Sequence, residues 1–588
     1  MILFTKKKTV KNDAGTYRPI SITSVVARLM ERIILHKLKT KDNVLQQLNN
    51  VQFGFRSKRS TYDALFRLTN AIRKGRQGKE EVPVLFLDIK KAFDSVNHQQ
   101  LLNKIARNVK MDSTIFNRIT NFLQNRQFYI SANGTNSKTR SLEKGVPQGC
   151  VLSPLLFNIY IDDLFPKNMA GIREGKIKYQ LYADDGVVWT EGTTTIAKIG
   201  RMEEAANQLY YWAVINKMEF SKDKTNIINF SNKKNPTKIE GIYINNFKVQ
   251  QVQNYKYLGI TLEAKGTWKI QQQDIESRIT KTFRWLRTYQ RKYAPPSPGT
   301  IINILRTITI AQISYGLPFW DPSETTMNSI DSKHYKGYKQ ALNLGPGTAY
   351  MSIQQELKIP SVKQAKDLEL IRFLNRSLNN EDNKHPSRIT VEAMTSSPTI
   401  TQGRLSRAPT MRQQIQEVSK RWNIADLAKI DKQELKIKVT TANSNNTSTL
   451  TKISNKIKTR NNTPIYLLRA NPVAWTTTRI RFGQAWAQYY SKFTDVDGRC
   501  SYPPCKQNNI WETTTHVIND CVQTSHLRAW LQEAIQQHVE GYTFNYANVI
   551  GDQIGIPKKQ IQIVEDLISQ FITRLTQLRP ISGPQWRR

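Results

Sequence analysis

The sequence predicts an α+β protein, and three observations carry that prediction. Apolar segments typical of strands, such as 84–89, alternate along the first part of the chain with amphipathic helical patterns such as 61–73. A long run of β-formers, 177–189, is interrupted by an Asp-Asp-Gly triplet, which is typical of a hairpin turn. From 270 to about 345 the apolar spacing becomes helical.

Composition restricts the partners of this chain. Lys and Arg outnumber Asp and Glu by 87 to 46, which gives a net charge of +41 over 588 residues and favours a polyanionic partner. No apolar run reaches the roughly 18 residues needed to span a membrane, and the first residues do not resemble a signal peptide. With only four cysteines, we expect a reducing compartment, the nucleus or the cytoplasm.

The hairpin triplet begins with Asp184 and Asp185, and a second apolar strand ends in Asp88. Two neighbouring strands can bring such carboxylates together, which is the requirement of a two-metal phosphoryl-transfer site. An isolated Asp-Asp-Gly is more often a solvated turn, so the additional carboxylate is what favours chemistry. The other acidic pair, Asp162 and Asp163, follows a helix whose C-terminal dipole disfavours anions, and we exclude it from the site.

Three stretches resemble the conserved boxes of reverse transcriptases. They are Leu87-Asp88-Ile89-Lys90-Lys91-Ala92-Phe93-Asp94, the segment from Gly145-Val146-Pro147-Gln148-Gly149 to Phe157, and Tyr182-Ala183-Asp184-Asp185. Their order and character are similar to those of non-LTR (LINE-type) retrotransposons, close to the jockey-like group. The resemblance implies a right-hand polymerase fold with fingers, a palm with an antiparallel sheet and a helical thumb. It also implies RNA-directed DNA synthesis from a primer with two Mg²⁺ ions and dNTPs.

The same resemblance assigns roles to particular residues. Asp88, Asp184 and Asp185 would hold Mg²⁺, and Lys224 would protonate the pyrophosphate leaving group. Phe93 would lie under the sugar and exclude a ribose 2′-hydroxyl. The remaining nucleotide-binding candidates are Ile89, Gln148, Gly149, Arg18 and Arg56. Each exposed cation also has an ordinary alternative as a solvated side chain, and Phe93 has one as a core residue.

The segment after the palm boxes combines a hairpin with basic helices. Residues 255–262 resemble the primer-grip hairpin. The next helical pattern has an apolar face, which core packing explains, and a basic face, which suits the phosphates of a template–primer duplex. The apolar face contains Ile275, Ile279, Phe283 and Leu286, and the basic face contains Arg278, Lys281, Arg284 and Arg287.

Cys500, Cys505, His516 and Cys521 follow a Cys-x4-Cys-x10-His-x4-Cys spacing. Three thiolates and one imidazole form a closed structural Zn²⁺ site, although four buried residues without a metal remain an alternative. The element resembles the Cys-Cys-His-Cys region that follows the thumb of LINE proteins, where it is linked to RNA or target-DNA binding.

These features predict four regions. They are the fingers and palm at 1–235, the primer grip and thumb at 236–380, a polar linker at 381–474, and a C-terminal region at 475–588 with the Cys-Cys-His-Cys element. LINE proteins usually carry an endonuclease ahead of the polymerase, whereas the family pattern here starts almost at Met1. This suggests a truncated copy or a nicking activity supplied elsewhere.

Two other functions remain open from the sequence. An RNA-dependent RNA polymerase would share the carboxylates, but Phe93 argues against it. A catalytically inactive RNA- or DNA-binding remnant would share the positive charge, but the intact Asp88, Gln148, Asp184 and Asp185 argue against loss of the site.

Overall fold

The computed structural model describes residues 2–5, 17–132, 134–244, 246–293, 296–320, 322–345, 348–381, 385–396, 411–424, 426, 429–430, 474, 477–478, 499–544, 549, 556 and 559–580. The chain divides into two compact units. Residues 1–268 and 373–420 form the first, and 269–372 and 421–588 form the second.

The strands are short, and those of the described residues all lie in the first unit. They are β1 (Ile2–Thr5), β2 (Tyr17–Ile20), β3 (Val82–Asp88), β4 (Gln127–Phe128), β5 (Ser131–Ala132), β6 (Thr135–Asn136), β7 (Arg140–Ser141), β8 (Ile177–Tyr182), β9 (Asp185–Thr190), β10 (Asn226–Phe230), β11 (Tyr243–Ile244), β12 (Phe247–Lys248), β13 (Gln250–Gln251), β14 (Asn254–Tyr257) and β15 (Ile260–Glu263).

Helices occur in both units. They are α1 (Val25–Thr40), α2 (Val44–Gln47), α3 (Thr61–Gln77), α4 (His98–Asn108), α5 (Ser113–Leu123), α6 (Ser153–Ile161), α7 (Ala170–Arg173), α8 (Thr195–Ile215), α9 (Lys269–Lys292), α10 (Pro298–Ser314), α11 (Glu324–Ala341), α12 (Tyr350–Glu356), α13 (Val362–Leu378), α14 (Pro386–Ser396), α15 (Met411–Arg421), α16 (Pro503–Gln507), α17 (Ser525–Gln536) and α18 (Ile561–Leu578).

The first unit is built on a five-stranded sheet with the order β13-β10-β3-β9-β8. The pairs β10–β3, β3–β9 and β9–β8 are antiparallel, and only the edge strand β13 pairs in parallel. Helices α3 and α8 pack against this sheet, and β3 is buried along nearly its whole length. This explains why its sequence is continuously apolar rather than alternating. The predicted antiparallel palm sheet is therefore confirmed.

Local sequence signals explain several helix boundaries. The sequence predicts Thr23 or Ser24 as the cap of α1, and Ser24 takes this position, because its side chain accepts a hydrogen bond from the Ala27 backbone N–H at 3.1 Å. The helical pattern between 101 and 124, which predicts one helix, is instead divided between α4 and α5. Val109 is extended, and the Asp112 carboxylate accepts the Thr114 N–H at 2.8 Å, so that a new helix begins there.

A second correction concerns the aromatic pair on either side of Gly54. The sequence, with Gly54 between two aromatic residues, predicts a backbone turn that places both Phe53 and Phe55 in a core. Phe53 lies in the core with 1% exposure, whereas Phe55 is 54% exposed and has a φ of 57°. Gly54 is required by a close contact rather than by a turn. A Cβ added there would lie 2.4 Å from the Ala183 backbone nitrogen.

In the second unit, α9, α10 and α11 pack on one another. The predicted apolar face of α9 is confirmed, since Ile275, Ile279, Phe283 and Leu286 are all buried. Near the C-terminus, α17 packs against α18 through a small apolar core that includes Leu531.

Among the described residues, no helix combines the length and the apolar character needed to cross a membrane. Several segments discussed from the sequence lie outside the described residues. They are most of the predicted linker at 381–474, Asn133 in the predicted Asn-Gly turn, and the basic segment at 6–11.

Candidate active site

Three carboxylates meet where β3, β8 and β9 converge. Asp88 ends β3 and is the direct cross-strand partner of Asp185, the first residue of β9. Asp184 lies in the two-residue turn that joins β8 to β9. The turn is therefore Ala183-Asp184 rather than the Asp-Asp-Gly triplet, and Ala183 adopts the positive φ of 55°. Gly186 lies inside β9, where Leu87 packs closely against its Cα.

Burial and mutual repulsion disfavour the charged forms of Asp184 and Asp185. Burial, together with the charge of Asp88, raises the pKa of Asp184 above its usual range. Burial and the charges of Asp184 and Asp88 raise the pKa of Asp185 to about 6. The Lys224 ammonium lies 3.1 Å from each Asp88 carboxylate oxygen and partly balances the negative charge. The cluster consists of hard oxygen donors, so its residues fit Mg²⁺.

The segment that contains Lys224 is hydrogen-bonded to Asp88 at the end of β3. The Ser221 N–H donates to the Asp88 carbonyl at 2.8 Å, and the Tyr255 hydroxyl donates to the Lys224 carbonyl at 3.0 Å. Tyr255 also stacks on Phe86 of β3, with ring centroids 4.3 Å apart. The β14–β15 hairpin thus supports the position of Lys224.

Phe93 lies beyond a left-handed Lys91, in a short 3₁₀ turn five residues after Asp88. Its ring stacks on Phe157 at 4.7 Å and meets the edge of Phe55 at 6.3 Å. The ring is only partly buried and lines the cavity, so it is not an ordinary core residue. Phe55, which sequence reasoning placed in the core, contributes to this wall.

Gln148 and Gly149 line another part of the same cavity. The Gln148 amide donates to an Asp94 carboxylate oxygen at 3.0 Å, while its carbonyl accepts the Ser21 N–H at 2.6 Å. Gly149 has a φ of 110°, and a Cβ there would lie 2.7 Å from the Ser21 carbonyl oxygen. Only glycine therefore lets this loop approach the chain that leaves β2 so closely.

A cavity of about 1040 Å³ connects these groups. Its walls include most of the residues singled out from the sequence, namely Arg18, Asp88, Ile89, Phe93, Gln148, Gly149, Asp184 and Lys224. Asp185 lies behind this wall, in register with Asp88. The long-range charge of Arg18 opposes the raised pKa of Asp184, which is consistent with its position at this cavity.

The structure does not bring Arg56 to the cavity. Its guanidinium donates to the Asn49 carbonyl at 2.6 Å and to the Leu45 carbonyl, and only 9% of the residue is exposed. Because these bonds order a loop, we correct the expectation that Arg56 faces a nucleotide. The exclusion of the second acidic pair agrees with the structure: Asp162 accepts the Asn49 N–H, and Asp163 accepts from Lys104 and Trp212.

Sequence reasoning missed two contributions to the site. Lys90, Lys91 and Lys144 also line the cavity, and the signal for the first two was their place directly after Asp88. Buried Glu31 of α1 accepts the Val151 N–H at 2.6 Å and so fixes the chain between Gln148 and α6. No local pattern could have indicated that contact, since its partners are about 120 residues apart.

The C-terminal cysteine cluster is assembled as predicted. The ligand atoms of Cys500, Cys505, His516 and Cys521 all lie within 4.8 Å of one another, and all four residues are buried. Arg579, just after α18, donates to the Cys500 sulfur at 3.3 Å and pairs with Glu512. Burial lowers the pKa of His516, which favours the neutral imidazole that a metal requires. This donor set fits Zn²⁺.

Paired carboxylates on an antiparallel sheet, beside a loop-walled cavity, are the arrangement that we expected of the palm of a right-hand polymerase. Residues 5–262 match the family model described as "Reverse transcriptase (RNA-dependent DNA polymerase)". This part of the chain is therefore similar to reverse transcriptase domains, and the relatives that it matches are of the non-LTR retrotransposon type.

Two relatives are RNA-directed DNA polymerases from the mobile element jockey. The protein from Drosophila funebris is 28% identical over 65% of this chain and 42% of its own length. The one from Drosophila melanogaster is 29% identical over 62% and 39%. The chain thus spans about two fifths of the curated relatives that it matches. A solved telomerase from Candida tropicalis, in complex with a fragment of telomeric RNA, aligns at 11% identity over 63% of this chain and 56% of its own, with a TM-score of 0.31.

Proposed function

We propose that this chain is the RNA-directed DNA polymerase of a non-LTR retrotransposon, and that it copies an RNA template by extending a DNA primer. The observation that carries this proposal is the convergence of Asp88 and Asp184 with Phe93 and Gln148 around one cavity, with Asp185 paired to Asp88, within the region that matches reverse transcriptases. The jockey relatives bear the same activity in their names.

In this proposal Asp88 and Asp184 hold two Mg²⁺ ions, and Asp185 contributes negative charge from behind. Bound Mg²⁺ would supply activation of the primer 3′-hydroxyl and neutralisation of the α-phosphate. The raised pKa values of Asp184 and Asp185 support this assignment, because a cation relieves the repulsion that raises them.

Lys224 has two roles in the proposed cycle. In the free protein its ammonium balances Asp88, as the paired 3.1 Å contacts indicate. With substrate bound, the same ammonium would leave Asp88 and donate a proton to the departing pyrophosphate. Its side chain is 67% exposed, so a change of partner costs little.

Substrate selection would depend on the two walls of the cavity. Phe93, whose ring stacks on Phe157, would collide with a ribose 2′-hydroxyl and so would select dNTPs. Asp94 fixes the amide of Gln148, which would line the pocket with Ile89 and Gly149. Arg18, exposed on β2, would meet the triphosphate. We do not extend this role to Arg56.

We also keep the four predicted regions as proposals, with fingers and palm at 1–235 and primer grip and thumb at 236–380. The basic residues of α9 suit the phosphates of a template–primer duplex. The Cys-Cys-His-Cys element would bind structural Zn²⁺ and support contacts with RNA or target DNA.

The test is Mg²⁺-dependent dNTP incorporation on an RNA template annealed to a DNA primer. We expect synthesis by the native chain and a loss of about 1000-fold in Asp184→Asn, equivalent to roughly 4 kcal/mol of transition-state stabilisation. Glu240→Gln is the matched control, because Glu240 pairs with the exposed Lys238 and does not line the cavity. If neither native chain nor control extends the primer while both bind RNA, the chain is instead an inactive nucleic-acid-binding remnant.

A further inference from the structure

Helix α9 carries an exposed row of aromatic side chains that its core packing does not explain. Trp285, Tyr289 and Tyr293 are 54%, 40% and 52% exposed. They follow one another at four-residue spacing, which places Trp285 and Tyr289 on one face of α9 and Tyr293, the first residue after the helix, in line with them. Ring centroids lie 6.2 Å apart between Trp285 and Tyr289 and 4.9 Å apart between Tyr289 and Tyr293. We call these three residues the aromatic row.

The aromatic row lies apart from the face of α9 that forms the core. That core face is occupied by Ile279, Phe283, Leu286 and Gln290, all of them buried. Exposing three large rings to water loses the favourable free energy of burying them, at about 25 cal/mol per Å² of apolar surface. A partner with flat apolar surfaces would recover that free energy.

The charges around the aromatic row indicate the kind of partner. From 277 to 292, α9 contains no acidic residue and six cations: Arg278, Lys281, Arg284, Arg287, Arg291 and Lys292. Among the described residues, only Arg278 of these six has an ion-pair partner, Asp274. The other five cations create a positive potential, which disfavours a basic peptide as partner and favours a polyanion.

Two of these cations border the aromatic row directly. Lys281 precedes Trp285 by four residues, and Lys292 follows Tyr289 by three, so both are neighbours of the rings on the helix surface. The Lys292 ammonium lies 5.5 Å from the centroid of the Tyr293 ring. Rings that alternate with cations on one surface match the bases and phosphates of a single strand.

We propose that the aromatic row is a stacking surface for an unpaired nucleic-acid strand. Bases would stack on the outward faces of the rings, because neighbouring rings already contact each other and leave no room between them. Lys281 and Lys292 would contact the phosphates of the same strand. A base-paired duplex cannot use this surface in that way, because its bases are stacked on each other and present only edges.

This inference rests on the proposed function, because that function provides the nucleic-acid substrate. It concerns an unpaired strand rather than the template–primer duplex. Duplex binding by the phosphate-facing cations of α9 requires no rings. Stacking on the aromatic row requires a strand that is not base-paired, such as the template ahead of the site of synthesis or a displaced strand. The two kinds of binding are therefore separable by substitution.

The experiment measures anisotropy of labelled oligouridine RNA, of oligothymidine DNA of equal length, and of an RNA–DNA duplex on the full chain. The test variant combines Trp285→Leu, Tyr289→Leu and Tyr293→Leu, which keeps apolar bulk and removes the rings. We expect single-strand affinity to fall by roughly 10-fold or more, since each stacked base contributes about 5-fold to 150-fold. Duplex affinity should change by less than about 2-fold.

Three further variants make the result specific. Replacing all three residues of the row by Phe retains the rings and should restore single-strand binding. Tyr210→Leu with Tyr211→Leu, which removes two contacting and exposed rings from α8, should leave it unchanged. Lys281→Gln with Lys292→Gln should reduce the salt dependence of single-strand binding by a slope of about 1 to 2.

Unchanged single-strand affinity in the Leu variant, with native circular dichroism, would overturn the inference. Equal losses of affinity for single strand and duplex would also overturn it, because the aromatic row would then contribute to nucleic-acid binding in general. Comparison of RNA with DNA decides which strand the surface prefers. Ring-dependent single-strand binding by a chain that extends no primer would support the stacking surface and count against the polymerase proposal alone.

Discussion

At the scale of single residues, the site shows what local patterns can and cannot predict. Asp88, Asp184 and Asp185 come together because their strands pair in a register that the apolar runs specify. The cross-strand pairing of two carboxylates, Asp88 opposite Asp185, is unfavourable for folding alone. Its presence in a well-packed sheet is consistent with a site selected for binding a cation.

Phe93 gives a prediction at this scale. Because its ring is held by stacking on Phe157, a smaller side chain should open space under the sugar without moving the carboxylates. We expect Phe93→Val to increase the ratio of rNTP to dNTP incorporation by about 10-fold or more while dNTP incorporation persists. Single-nucleotide extension with each substrate measures the ratio.

Phe122→Val, which removes a partly buried ring of the same size elsewhere in the core of the first unit, is the matched control and should leave the ratio unchanged. An unchanged ratio in Phe93→Val would assign the ring to packing only.

Arg56 shows why some residues escape prediction. Its motif suggested a free cation, but the Asn49 and Leu45 carbonyls accept its N–H groups. Leu45 lies in the short helix α2, and Asn49 lies in the irregular segment after it, and no periodicity predicts where these carbonyls point. Glu31 escaped for the same reason, because it bonds a backbone N–H far along the chain. The charges of the site were predictable, whereas the hydrogen bonds that position its loops were not.

At the scale of elements, the hairpin that carries Asp184 depends on a neighbouring segment. The Phe53 N–H donates to the Leu181 carbonyl at 2.8 Å, and the Gln52 side chain accepts the Ala183 N–H at 3.1 Å. Gly54 makes this close approach possible. The sequence predicted the hairpin, but not that the segment containing Gly54 packs on it.

Gly54→Ala should therefore impair the site from outside it. The added Cβ would lie 2.4 Å from the Ala183 backbone nitrogen, so the turn of Asp184 must shift. We expect a loss of about 1 to 3 kcal/mol in the free energy of unfolding and a primer-extension rate reduced by 10-fold or more. Thermal unfolding and primer extension measure the two effects.

Gly200→Ala in α8 is the control, because nothing lies within 4 Å of its added Cβ and alanine favours a helix. It should be neutral or slightly stabilising. Native activity in Gly54→Ala would mean that the contact between the two segments does not position the turn.

At the scale of the whole molecule, the sequence predicts the class of protein better than the grouping of its parts. The charge of +41 and three motifs indicated a nucleic-acid polymerase. By contrast, residues 373–420 join the unit formed by 1–268, and contacts such as the Phe66 and Phe373 rings at 4.9 Å help to hold them there. Contacts across 300 residues leave no local pattern, so only the structure reveals them.

Zinc provides the prediction at this scale. The four ligand atoms lie together within the second unit, and Arg579 connects the Cys500 sulfur to the end of α18. Zn²⁺ should therefore stabilise this C-terminal segment as a whole, because metal-binding free energy becomes folding free energy. We expect about one zinc per chain, which is lost in Cys505→Ser.

Loss of the metal should expose the segment that contains α17 and α18 to proteolysis, while the first unit, which contains Asp184, stays resistant. Atomic emission measures the zinc, and limited proteolysis with mass spectrometry locates the cuts. Cys150→Ser is the matched control, because Cys150 is a buried thiol of the first unit and belongs to no ligand cluster among the described residues. It should retain the zinc and the native cleavage pattern. A native chain without zinc, and with the same cleavage pattern as Cys505→Ser, would show that the buried thiols pack without a metal.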